Sequence, residues 1–76
     1  MSKVAAILAQ VRPDVDFAES ANFFDEGALD SFDLVTLVSE LDRAYDISID
    51  GLDIVPENFA SILKIEALVA RYGVTP

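Results

Sequence analysis

The sequence predicts an all-α protein, a small bundle of three main helices plus one short helix. Apolar residues recur at helical spacing in three separate stretches, and capping residues or helix breakers stand at the ends of those stretches. At 76 residues the chain has room for one domain, spanning 1–76, with a single modest core. A chain of this size buries only about 60 % of the surface its unfolded form exposes.

The first helix is predicted over about 3–12. Val4, Ile7, Leu8 and Val11 share one face, Ser2 is available as N-cap, and Pro13 stops the helix by pushing Arg12 out of the α region. A long connection, 13–30, follows with no clean period. It exceeds the usual limit of about 12–15 residues, so it is expected to be functional or held down by its own side chains. Phe17, Phe23, Phe24 and Leu29 are the candidate anchors.

The second helix, about 31–45, carries the strongest signal. Leu34, Leu37, Val38, Leu41 and Tyr45 form an apolar stripe, with Asp33, Thr36, Glu40 and Arg43 away from it. Asp30 can cap it, and Asp33 places negative charge in its first turn. Asp50-Gly51 marks a turn, and a short helix is expected over about 51–55, broken at Pro56. Ser61 or Asn58 caps the final helix, about 61–72, which carries Ile62, Ile65, Leu68, Val69 and Tyr72 and closes at Gly73.

Composition excludes several functions. The chain has no Cys and no His, so it has no disulfide, no thiolate metal site and no imidazole base. Fourteen acidic residues against five basic ones give a net charge of −9, which repels nucleic-acid phosphates and attracts basic protein surfaces. No apolar run approaches the roughly 20 residues of a membrane span, and the N-terminus lacks the features of a signal peptide. These features predict a cytoplasmic monomer.

Ser31 sits at the start of the second helix within GALDSFDLVTL, residues 27–37. A serine nucleophile needs a base, and without His the Ser-His-Asp arrangement is impossible. Neither Lys3 nor Lys64 lies in a motif pairing it with Ser31. The hydroxyl is therefore a cap or a substrate for another enzyme. Asp30 already caps one residue earlier, which makes Ser31 the first helical residue, facing solvent. A helix N-terminus also favours an attached phosphate ester. Phe32 falls away from the apolar stripe and is expected to be partly exposed.

The run FFDEGALDSFDLVTLVSELDRAYDISI, residues 23–49, resembles the acyl carrier protein family, and PENFASILKIEALV, residues 56–69, continues the likeness loosely. The resemblance implies a single carrier domain with an acyl-carrier-protein-like fold, itself not an enzyme. It implies 4'-phosphopantetheine attached covalently to Ser31, with Asp30 helping to engage the modifying enzyme. The cofactor brings the sulfur that a chain without cysteine lacks. The implied partners are a phosphopantetheinyl transferase (holo-acyl-carrier-protein synthase) and acyl-loading ligases or synthases with basic docking surfaces. Phe32, Asp33, Glu40 and Asp42 are the implied partner-binding residues. The cargo would be an acyl or aminoacyl thioester in fatty acid, polyketide or related biosynthesis. Leu37, Leu41, Ile49, Ile54, Phe59 and Ile62 are candidate lining for an apolar chain, although periodic apolar positions mean core first, and both hold if the core opens for the chain. Thr36, Ser39 and Arg43 depart from the more densely acidic helices of conventional fatty-acid carriers, Phe32 replaces the more usual leucine, and the Pro56-Glu57-Asn58-Phe59 segment is similar to aminoacyl, polyketide or specialised free-standing carriers.

Two other readings compete. DISIDGLDIVPE, residues 46–57, offers Asp46, Ser48, Asp50, Gly51 and Glu57 at EF-hand calcium-loop positions. Against it stand Asp53 where an apolar residue is normal, Ile54 where an oxygen is wanted, and Pro56 in the exiting helix, so no metal ligand is assigned. The other reading is an acidic helical adaptor in which Ser31 only caps.

Overall fold

The computed structural model describes residues 3–17 and 22–76; Ser2, the expected cap of the first helix, and positions 18–21 of the long connection lie outside them. Among the described residues all regular structure is helical. Helix α1 spans Lys3–Val11, α2 Ser31–Tyr45 and α3 Ile62–Ala70, with 3₁₀ turns at Gly51–Asp53 and Pro56–Phe59.

The three helices meet along their apolar stripes. Val4, Ile7 and Leu8 of α1, Leu34, Leu37, Val38, Leu41 and Tyr45 of α2, and Ile65, Leu68 and Val69 of α3 are buried together. No polar or charged side chain is buried among the described residues. The interior therefore carries no desolvation penalty of that kind.

The long connection is held by aromatic anchors, as its sequence suggests. Phe23 is wholly buried, Phe17 and Leu29 nearly so, and Phe24 packs against the core from its edge. The Phe17 and Phe23 rings meet edge to face with centroids 4.9 Å apart, the arrangement their quadrupoles prefer. Phe23 N–H donates to the Ala60 carbonyl at 2.7 Å, while the Phe23 carbonyl accepts from Ala28 and Leu29. Gly27 turns the chain at φ 76°, a conformation that a Cβ disfavours. These bonds draw residues 22–29 onto the entry of α3 and deliver the chain to Asp30.

The expected short helix over 51–55 is replaced by two separate 3₁₀ turns. Pro56 cannot donate the bond that would continue the first turn, and it restricts Val55 to extended backbone, observed at φ −130° and ψ 148°. The same proline has the φ needed to begin a helical turn, and it opens the second one. That second turn sets Phe59, fully buried, into the core, and burying a ring this way is worth about 1.5–3 kcal/mol. Ser61 caps α3 by accepting from Lys64 N–H at 3.2 Å. Regular α-helix ends at Ala70, and the last turn tightens before Gly73 reverses the chain at φ 83°.

Side-chain bonds fasten the remaining loops. Asp42 Oδ1 accepts from Ile49 N–H at 3.0 Å. Tyr72 Oη donates to Asp53 Oδ2 at 2.6 Å and accepts from Asp50 N–H at 2.9 Å. The Pro76 carbonyl accepts from both Lys3 N–H, at 3.1 Å, and Tyr45 Oη, at 3.0 Å.

Candidate functional site

The first turn of α2 is fixed by reciprocal bonds. Asp30, extended and outside the helix, accepts from Asp33 N–H through Oδ1 at 2.9 Å. Asp33 returns the bond, its Oδ2 accepting from Asp30 N–H at 3.2 Å. This is a capping box built from two aspartates in place of the usual Ser/Thr and Glu/Gln. Its carboxylates also lie at the end of the helix where negative charge is favoured.

Arg12, just past α1, locks the box from outside. Its Nη1 donates to Asp33 Oδ2 at 2.8 Å, and its Nε donates to Asp14 Oδ1 at 3.3 Å. The two carboxylates, Asp14 first, hold the guanidinium more firmly protonated than usual, and the same hydrogen bond lowers the Asp14 pKa. The turn that presents Ser31 is thus tied to a different helix.

Ser31 is the first residue of α2 and is exposed. No hydrogen bond or ion pair engages its side chain among the described residues. The N–H groups of Ser31 and Phe32 belong to the first helical turn, where no carbonyl of the helix can reach them. Phe32 stands 85 % exposed beside the hydroxyl.

The acidic residues expected on the partner surface are distributed differently. Asp33 has a side chain only 16 % exposed and is engaged by Arg12 and Asp30. Asp42 is engaged by Ile49 N–H, and Glu40 lies 3.9 Å from Arg43 across one helical turn. Arg12 was not singled out from the sequence as a site residue. Its one visible signal is a lone cation immediately before the helix-breaking proline.

The residues expected to line an acyl channel fill the core instead of an open space. Leu37, Leu41 and Phe59 are wholly buried, Ile49 nearly so, and Ile54 and Ile62 pack at the margin. A cleft of about 350 Å³ opens elsewhere, lined by Asn22, Phe24, Asp25, Pro56, Glu57, Ala60 and Lys64. In the calcium-loop segment, Asp50 Oδ1 accepts from Leu52 N–H, and the Asp53 oxygens face Tyr72 and Arg71. No group of three or more metal-ligating side chains converges among the described residues.

Residues 2–70 match the family model of the phosphopantetheine attachment site. The chain belongs to that family. Its cofactor is 4'-phosphopantetheine, carried covalently, and its role is that of a phosphopantetheine carrier. Carrier domains of the family work with a phosphopantetheinyl transferase and with partner enzymes. No curated protein and no solved structure matches the chain. No helix among the described residues is long and apolar enough to cross a membrane.

The first turn of α2 fits such a group. A phosphodiester needs an accessible oxygen to join and free donors near its charge. Ser31 has an accessible oxygen there, and the helix mouth has the N–H groups and the positive end of the dipole. Arg12 partly neutralises Asp33, the first acidic residue inside the helix.

Proposed function

We propose that Ser31 is the attachment point and that the chain presents an acyl or aminoacyl group to enzymes of fatty acid, polyketide or related biosynthesis. The observation that supports this reading is an exposed, unengaged hydroxyl at the mouth of α2, inside the region that matches the family. When bound, the arm supplies a thiol that holds the cargo as a thioester.

The chain's own residues bind and orient. Asp30 and Asp33 stop the first turn from fraying, so Ser31 Oγ is offered in one place. The N–H groups of Ser31 and Phe32 lie where they can favour the negative charge next to the attached oxygen. With no His in the chain, the proton leaving Ser31 passes to a base on the modifying enzyme. The chain serves as substrate and bearer of the cargo, and its partners do the chemistry.

The buried state of Leu37, Leu41 and Phe59 bears on the cargo. A long apolar chain inserting between the helices would have to part a filled core, whereas an aminoacyl or short acyl group needs no such opening.

Incubation with a broad-specificity phosphopantetheinyl transferase, coenzyme A and magnesium tests the assignment. Mass spectrometry should show one arm added to the wild type and none to Ser31→Ala. An arm on the Ser31→Ala variant, or none on the wild type, would refute it.

A further inference from the structure

Arg12 is fastened through its own backbone on both sides. Its N–H donates to the Leu8 carbonyl at 2.9 Å, continuing the hydrogen bonding of α1, and its carbonyl accepts from Val15 N–H at 3.3 Å. Leu8 is wholly buried, so this stretch of backbone is anchored to the core. The side chain is aimed as well. Nε and Nη2 donate to the two oxygens of Asp14 at 3.3 and 3.4 Å, a two-point pairing that sets the plane of the guanidinium. That leaves Nη1 for Asp33 Oδ2 at 2.8 Å.

Asp33 Oδ2 is a shared acceptor. It takes Arg12 Nη1 and also, at 3.2 Å, the N–H of Asp30, the residue joined directly to Ser31. The side chains of the ion pair are 31 % exposed for Arg12 and 16 % for Asp33, so water competes for them less than at an open surface pair. The pair also brackets the long connection, its members standing at 12 and 33 on either side of residues 13–30. A run of contacts thus leads from the core, through Arg12 and Asp33, to the backbone that carries Ser31. Without the guanidinium, the Asp33 carboxylate can turn outward to water, and Asp30 N–H then loses its acceptor.

We infer that Arg12 is a positioning residue for the modification of Ser31: held by α1 and by Asp14, it keeps Asp33 on Asp30 N–H and so fixes where Ser31 Oγ is offered to the transferase. This rests on Ser31 being the attachment point. Arg12 acts through Asp33 and takes no part in making the bond. Misplacing an attacking oxygen by about 1 Å costs rate far more than it costs binding, so the effect belongs in kcat. Charge steering predicts the opposite sign. Neutralising Arg12 makes the net charge of −9 one unit more negative, which strengthens attraction to a basic enzyme.

Transferase kinetics on wild type, Arg12→Gln, Arg12→Lys and Arg43→Gln test the inference, each protein having a thermal midpoint well above the assay temperature. Arg12→Gln should lower kcat about tenfold and leave KM within about twofold of wild type. Arg43→Gln makes the same charge change at a side chain 78 % exposed and should match or exceed wild type. Arg12→Lys should recover most of the loss, because the bond to Asp33 is a single donation that an ammonium can make. On an Asp33→Asn background, Arg12→Gln should cost less than about twofold more, as expected of two residues acting as one unit. An Arg12→Gln kcat within about twofold of wild type, a loss confined to KM, or a full tenfold loss on the Asp33→Asn background overturns the inference and leaves attachment at Ser31 standing. If the wild type gains no arm, the attachment reading fails instead.

Discussion

Asp46 closes α2 at φ 55° and ψ 50°, the one described residue other than glycine with positive φ. Aspartate tolerates the left-handed region better than most residues, but at a cost that glycine avoids. Its carboxylate also stands at the helix end where negative charge is unfavourable. Both effects have the same sign. Asp46→Gly should stabilise the fold by about 1 kcal/mol, raising the thermal midpoint by about 4–8 °C for a domain of this size. A lower midpoint would show that the aspartate side chain makes a contribution the backbone argument misses. Ser31 gives the opposite lesson: it sits where the backbone is relaxed and its side chain is idle, so its place in the sequence has no structural explanation.

Among the elements, α2 is the one most legible from sequence. Its stripe, its Asp30 cap and its exposed Ser31 all follow from residues within four positions of each other, where helical geometry alone decides the neighbours. Arg12 and Asp33 are 21 positions apart, and the bond between Phe23 N–H and the Ala60 carbonyl spans 37. Neither is visible to a periodicity argument. For that reason Asp33 and Asp42 read as surface charges on a helical wheel, although tertiary partners engage both. The turns at 51–59 were half legible: Pro56 marked a break, but the same ring also starts the turn that seats Phe59. The Arg12 latch predicts a local effect. Arg12→Gln should speed amide hydrogen exchange at Asp33 and in the first turn of α2, while exchange at Leu41 in the middle of the helix stays unchanged. A uniform change across α2 would mean that Arg12 acts on global stability instead.

For the whole molecule, two tyrosine hydroxyls join segments distant in sequence. Tyr72 ties the end of α3 to the turn at Asp50–Asp53, and Tyr45 ties α2 to Pro76. Both phenols are raised above the ordinary tyrosine value, Tyr72 chiefly by its hydrogen bond to Asp53 and Tyr45 chiefly by burial, with Glu66 adding to it. A folded pKa above the unfolded one means that the neutral form is favoured in the native state. That stability is fully present below the unfolded value, about pH 10, and is lost as pH rises through the folded value. The urea midpoint should therefore fall above about pH 10, and Tyr72→Phe should fall less steeply. Equal slopes for the two proteins would remove Tyr72 from the account.

Lys3 and Pro76 meet over the Tyr45 hydroxyl, and Tyr45 lies fourteen residues past Ser31, about 21 Å along α2. Lys3 and Pro76 thus lie at the pole remote from Ser31. An affinity tag joined beyond Pro76 would hang behind the molecule and leave the mouth of α2 unobstructed, like a handle on the blunt end of a tool.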